Sequence, residues 1–126
     1  MAGWNLALRF LLELAALVGI AMLAWDAGDG VVGVVAVVIA PVLAATAWGV
    51  FNVPGDPSRS GRAPVVVHGL VRLAIELAIL GLGTWGLWTA SPLLGVVVAV
   101  LVVFHYVVSW RRVTWLLGPV RARGAS

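Results

Sequence analysis

The chain has 126 residues, 63% of them hydrophobic and only 10% charged, with a net charge of +3. That balance excludes an ordinary soluble domain, in which about a quarter of residues are charged. The absence of cysteine excludes disulfides, thiolate chemistry and cysteine-based metal sites, and every basic side chain is arginine.

Four long apolar stretches follow one another, at about residues 5–25, 31–51, 65–89 and 93–110. Each is near the ~20 residues a helix needs to cross a bilayer core. The first stretch carries Arg9 and Glu13 within it, and no basic residue precedes it. It is therefore expected to be a retained span rather than a cleaved leader. A short acidic turn at 26–30 leads into the second stretch, where Pro41 removes one helical hydrogen bond and is expected to kink the helix. The central loop, 53–64, sets Arg59 and Arg62 against Asp56. The third stretch holds Arg72 and Glu76, and the fourth, after the short link at 90–92, holds His105. A basic tail at 111–126 carries Arg111, Arg112, Arg121 and Arg123.

The charged passages repeat. LeuArgPheLeuLeuGluLeuAla at 8–15 aligns without a gap on ValArgLeuAlaIleGluLeuAla at 71–78, and Trp25 falls on Trp88 at the same offset of 63 residues. The expected fold is an all-α integral membrane four-helix bundle of two tandem, parallel-repeat hairpins, 5–52 and 65–112, forming a single domain. Small residues at helical spacing, Ala15 with Gly19, Ala36, Ala40 and Ala44, and Ala74 with Ala78, point to close helix contacts. Arginine in the central loop and tail, with acids at 26–30, orients both termini toward the cytoplasm. Trp4, Trp48, Trp110 and Trp115 mark the inner interface, Trp25 and Trp88 the outer one.

A charge inside a bilayer costs about 2.5–3.5 kcal/mol on insertion scales, so each intramembrane ion needs a partner or a job. Glu13 and Glu76 fall within about one helical turn of the midplane, with Arg9 and Arg72 one turn closer to the cytoplasm. His105, Tyr106, Ser109, Thr46 and Asn52 share that inner layer, while the outer half holds little that is polar besides Thr84. One reading is structural. Arg and Glu at i, i+4 pair on one helix face, or cross-pair as Arg9 with Glu76 and Arg72 with Glu13 to clamp the halves together. The other is functional. Two acids at one depth resist joint ionisation, and so suit a cationic ligand, a proton relay or acid–base chemistry. The two arginines suit an anionic headgroup. The candidate ligand-binding residues are thus Glu13, Glu76, Arg9, Arg72 and His105, with Glu13, Glu76 and His105 as catalytic candidates and none assigned.

No His-x-x-x-His or Glu-x-x-His spacing supports a metal, and no cofactor is expected. His68, near the inner interface, is expected to be solvated. GlyLeuGlyThrTrpGly at 81–86 lies within an apolar span and follows no strand, so it is not a dinucleotide fingerprint. In the tail, Arg111, Arg112, Trp115, Arg121 and Arg123 are expected to grip lipid headgroups rather than nucleic acid.

The run TrpGlyValPheAsnValProGlyAspProSerArgSerGlyArgAlaPro at 48–64, followed by ArgLeuAlaIleGluLeuAla at 72–78, resembles the YrdB-like family of small bacterial integral membrane proteins. The resemblance extends over nearly the whole chain. It implies four spans and a membrane location, and brings no activity. Three functions stay open: binding or transport of a small amphiphilic or cationic ligand, a membrane-embedded acid–base enzyme of isomerase, cyclase or epoxide hydrolase type, and a non-catalytic subunit or scaffold. Membrane lipid is the expected partner, and a homo-oligomer is compatible with the small-residue faces.

Overall fold

The first and third apolar stretches meet at the centre of the molecule because glycine and alanine let their backbones touch. In the computed structural model, which describes residues 1–58 and 63–118, they form helices α1 (Gly3–Ala27) and α3 (Gly69–Ala90). A Cβ placed on Gly19 would overlap the Gly83 carbonyl, and one on Gly83 would overlap the Ala16 backbone. Close approach of this kind replaces hydrophobic drive in an apolar medium, where lipid is as apolar as leucine. The buried core, including Leu12, Ala16, Ile20, Ile79 and Leu80, lies along this crossing.

Helix α2 (Gly30–Val50) folds back beside α1, and α4 (Pro92–Val108) folds back beside α3. Gly30, with φ +56°, supplies the left-handed residue that starts α2. Ser91 accepts a hydrogen bond from the Leu94 backbone N–H at 3.4 Å, and Pro92 occupies the first turn, a matched start for α4. α2 runs through Pro41 as one continuous helix and buries only Gly33. Its valines face outward, as they do in a helix bathed by lipid rather than by protein.

The secondary structure is all-α apart from a parallel pairing of two short strands, β1 (Phe51–Asn52) and β2 (Val65–Val66). This pairing corrects one expected boundary. The second span ends at Val50, close to where it is expected, but the third begins at Gly69 rather than at 65, because 65–66 extend to close the central loop. His68 caps α3, its Nδ1 accepting from the Leu70 N–H at 3.2 Å. The later start puts Glu76 only about two turns, roughly 10 Å, from the loop end of α3. α1, α2 and α3 are each long and apolar enough to cross a membrane, and α4 with the short α5 (Trp110–Leu117) makes a fourth candidate broken by a 70° turn. At that turn Ser109 leaves helical geometry with φ −101° and ψ 21°. α5 then lies back across the end of the bundle, its Leu116 carbonyl so close to Gly69 that any Cβ there would overlap it.

Candidate functional site

The N-terminus, central loop and α5 gather at one end of the helices, and the charged side chains collect just beneath them. Glu76 is fully enclosed. Its Oε2 takes Nε of Arg72 at 2.8 Å, Nη2 of Arg112 at 2.5 Å and Nη2 of Arg9 at 3.0 Å. Its Oε1 accepts from Nη1 of Arg112 at 2.9 Å and from the Tyr106 hydroxyl at 2.8 Å. Three guanidiniums and a phenol thus surround one carboxylate, an arrangement stable only because further acids balance the charge.

Asp56 is one of them. Arg112 forks onto it through Nε at 2.6 Å and Nη2 at 2.7 Å, so the same guanidinium bridges the central loop and α3. Burial raises the Asp56 carboxyl, but the bonds from Arg112 and the Ser58 N–H outweigh it and hold it below the usual aspartate range. The Ser58 backbone bond, 2.9 Å, shapes the loop as an Asx turn. The tail expectation is corrected here. Arg112, expected among lipid headgroups, is only 2% exposed, because the 70° turn swings its face of α5 inward with Val113 and Leu116. Arg111, one residue earlier, stays exposed and Trp115 is half-buried. Arg59, Arg62, Arg121 and Arg123 lie outside the described residues.

Glu13 is the third acid, in a different setting. Its side chain is 25% exposed, with one ion pair, to Arg9 Nε at 3.5 Å. The Trp48 indole lies beside it and lines the same pocket. Of the two expected cross-pairs, Arg9 reaches Glu76, whereas Arg72 and Glu13 form no ion pair. Arg72 instead donates through Nη1 to the carbonyls of Trp48 at 2.6 Å and Phe51 at 3.0 Å, tying off the end of α2. The guanidiniums of Arg9 and Arg72 each lie 4.9 Å from the Trp48 ring centroid.

His105 is buried behind Arg9. Arginine can only donate, so Nε2 of His105 accepts from Arg9 Nη1 at 3.3 Å. Its Nδ1–H then donates to Asn5 Oδ1 at 2.7 Å, and Asn5 Nδ2 donates to Ser109 Oγ at 2.8 Å. Both ring nitrogens are occupied in holding α1 to α4. Among the described residues, no group of three His, Cys, Asp or Glu is placed to hold a metal ion.

A pocket of about 490 Å³ opens beside this layer, lined by Arg9, Glu13 and Arg72, by Trp48 from α2, by Pro57 and Ser58 from the loop, and by Leu6 and Phe10. Glu76 and His105 do not line it. Sequence reasoning placed Arg9, Glu13, Arg72, Glu76 and His105 in one layer, and the structure connects all five. It missed Asp56, whose signal is its position as the lone acid of a basic loop, and Asn5, whose only signal is a polar residue at the start of an apolar span.

The comparisons with known proteins match the chain over most of its length. The chain is 39% identical over 115 residues to "Uncharacterized protein YrdB" of Bacillus subtilis (strain 168), covering 90% of this chain and 93% of that protein. No solved structure matches it. The family model described as "Protein of unknown function (DUF2568)" matches residues 7–112, a span that runs from the second turn of α1 through α4 to Arg112, and the chain belongs to that family.

Proposed function

We propose that the protein is a membrane-embedded binding protein for a small cationic amphiphile, with Glu13 as the counter-ion of the ligand. The observation that carries this reading is the state of Glu13. It is the one acid of the charged layer that both faces a pocket and keeps part of its carboxylate accessible. A cationic headgroup there would meet Glu13 and Trp48, while its chain would lie along Leu6 and the exposed Phe10. The charged end would face the cytoplasm, by the arginine bias of the central loop and tail.

Binding is favoured over transport. The α1–α3 crossing leaves no space between Ala16, Gly19, Gly83 and Gly86, and the Thr84 hydroxyl beyond it is spent on the Leu80 carbonyl at 2.7 Å. The acid–base enzyme reading is weakened because Glu76 and His105, two of its three candidate groups, are saturated and turned away from the pocket. A scaffold role has one observation of its own. The Glu76 cluster ties α1, α3, α4, α5 and the central loop together, which is what a purely structural staple does.

Calorimetric titration of dodecylammonium into the full-length protein in a neutral detergent tests the reading. Saturable binding that weakens about tenfold in Glu13→Gln is expected, the loss of one charge-assisted contact. Binding that is absent, or indifferent to Glu13→Gln, would leave the scaffold role in its place.

A further inference from the structure

The pocket also contains donors that a cation alone would leave without partners. The Ser58 hydroxyl is buried beside the Asp56 carboxylate and makes no well-aligned hydrogen bond among the described residues. Arg9 Nη2, on a side chain 4% exposed, sits 3.0 Å from Glu76 but is not aligned to hydrogen-bond to it. Arg72 lines the same pocket, its Nε and Nη1 held by Glu76 and by the Trp48 and Phe51 carbonyls. A buried donor without an aligned acceptor costs about 1–3 kcal/mol, so two of them around one pocket, Arg9 Nη2 and Ser58 Oγ, point to a missing acceptor group. Its chemistry follows from the donors. Two guanidiniums and a hydroxyl suit a phosphate, whose several oxygens can serve all three. A purely anionic ligand would face repulsion from Glu13, which lines the same space, and a purely cationic one would leave the donors bare.

We infer that the pocket takes a zwitterionic amphiphile, a phosphate ester joined to an ammonium group, of the ethanolamine-phospholipid class. The phosphate sits against Arg9, Arg72 and Ser58, the ammonium against Glu13 and Trp48, and the acyl chains leave past Leu6 and Phe10 into the surrounding lipid. The volume of about 490 Å³ accommodates a headgroup and leaves the chains outside. The inference rests on the cation-binding role of Glu13 proposed above and adds an anion subsite to it.

Native mass spectrometry of the full chain in neutral detergent tests it, with four probes titrated separately: phosphatidylethanolamine, phosphatidylglycerol, dodecylammonium and chain-free phosphoethanolamine. Phosphatidylethanolamine is expected to bind about tenfold more tightly than each of the other three, and Ser58→Ala and Glu13→Gln are each expected to weaken it by about tenfold. Ser58→Ala keeps the loop, because the Asx turn uses the backbone N–H of Ser58. Equal binding of dodecylammonium and phosphatidylethanolamine, unaffected by Ser58→Ala, would overturn the anion subsite and leave the cation site standing. Equal binding of the two phospholipids, indifferent to Glu13→Gln, would overturn both. Equally tight phosphoethanolamine would overturn the assignment to a lipid and make a soluble zwitterion the occupant.

Discussion

Glu13 and Glu76 occupy matching places in two aligned passages, yet one is a half-open wall of a pocket and the other is sealed. Each has an arginine four residues earlier on its own helix. The difference comes from elsewhere in the chain. Tyr106 and Arg112 converge on Glu76, and no counterpart from α2 or the loop does the same for Glu13 beyond the Trp48 indole. Local spacing therefore supplies a charge pair, and distant elements decide whether that pair is enclosed or left open to a pocket.

The sharpest way to break this contrast is to neutralise each acid in turn. Glu76→Gln leaves three guanidiniums around an uncharged group and is expected to destabilise by about 3–5 kcal/mol, whereas Glu13→Gln is expected to cost about 1 kcal/mol or less. Unfolding midpoints in detergent distinguish the two, and equal losses would show that the enclosure of Glu76 carries no extra weight. Arg112→Ala comes next, at about 3 kcal/mol, because it strips a partner from both Glu76 and Asp56. Hydrogen exchange should rise selectively at 110–117 if the guanidinium is what holds α5 down.

A smaller effect is expected from pH. The Asp56 carboxyl is held below the ordinary aspartate value, so its pairing stabilises the fold fully above about pH 4 and is lost as pH falls further through the lowered value. The stability gap between the natural protein and Asp56→Asn should close over that acid window, and a gap that persists unchanged at pH 3 would contradict the pairing. The smallest effect belongs to Arg111, the exposed neighbour of Arg112. Arg111→Ala should leave the unfolding midpoint unchanged and weaken adhesion of α5 to anionic vesicles by about fivefold.

The legible part of this molecule was the part encoded locally. Repeated Arg and Glu at i, i+4, four apolar stretches and the His105 position are all visible along one line of sequence, and they named five members of the charged layer. The role of Arg112 is not legible, because an arginine in a basic tail looks the same whether its helix face turns toward lipid or protein. The 70° turn that decides it occurs at Ser109, without a proline or glycine to announce it. Asp56 lies 56 residues from Arg112, and no short-range pattern links them. The start of α3 was placed too early because two valines that pair as a strand are as apolar as those in a helix.

The same-helix pairing of Arg9 with Glu13 bears on how the chain is made. When the first helix enters the bilayer, Glu76 has not been synthesised, and Arg112 follows Glu76 by a further 36 residues. At translation rates of about 5–20 residues per second, Arg9 would wait several seconds for its final partners. Glu13, one turn away on the nascent helix, offsets its charge through that interval. Arg72 and Glu76 repeat the arrangement until α5 arrives. Each passage thus brings a provisional partner into the membrane with it, and only in the finished protein do the two acids diverge, one sealed in the interior and one left at the wall of a pocket.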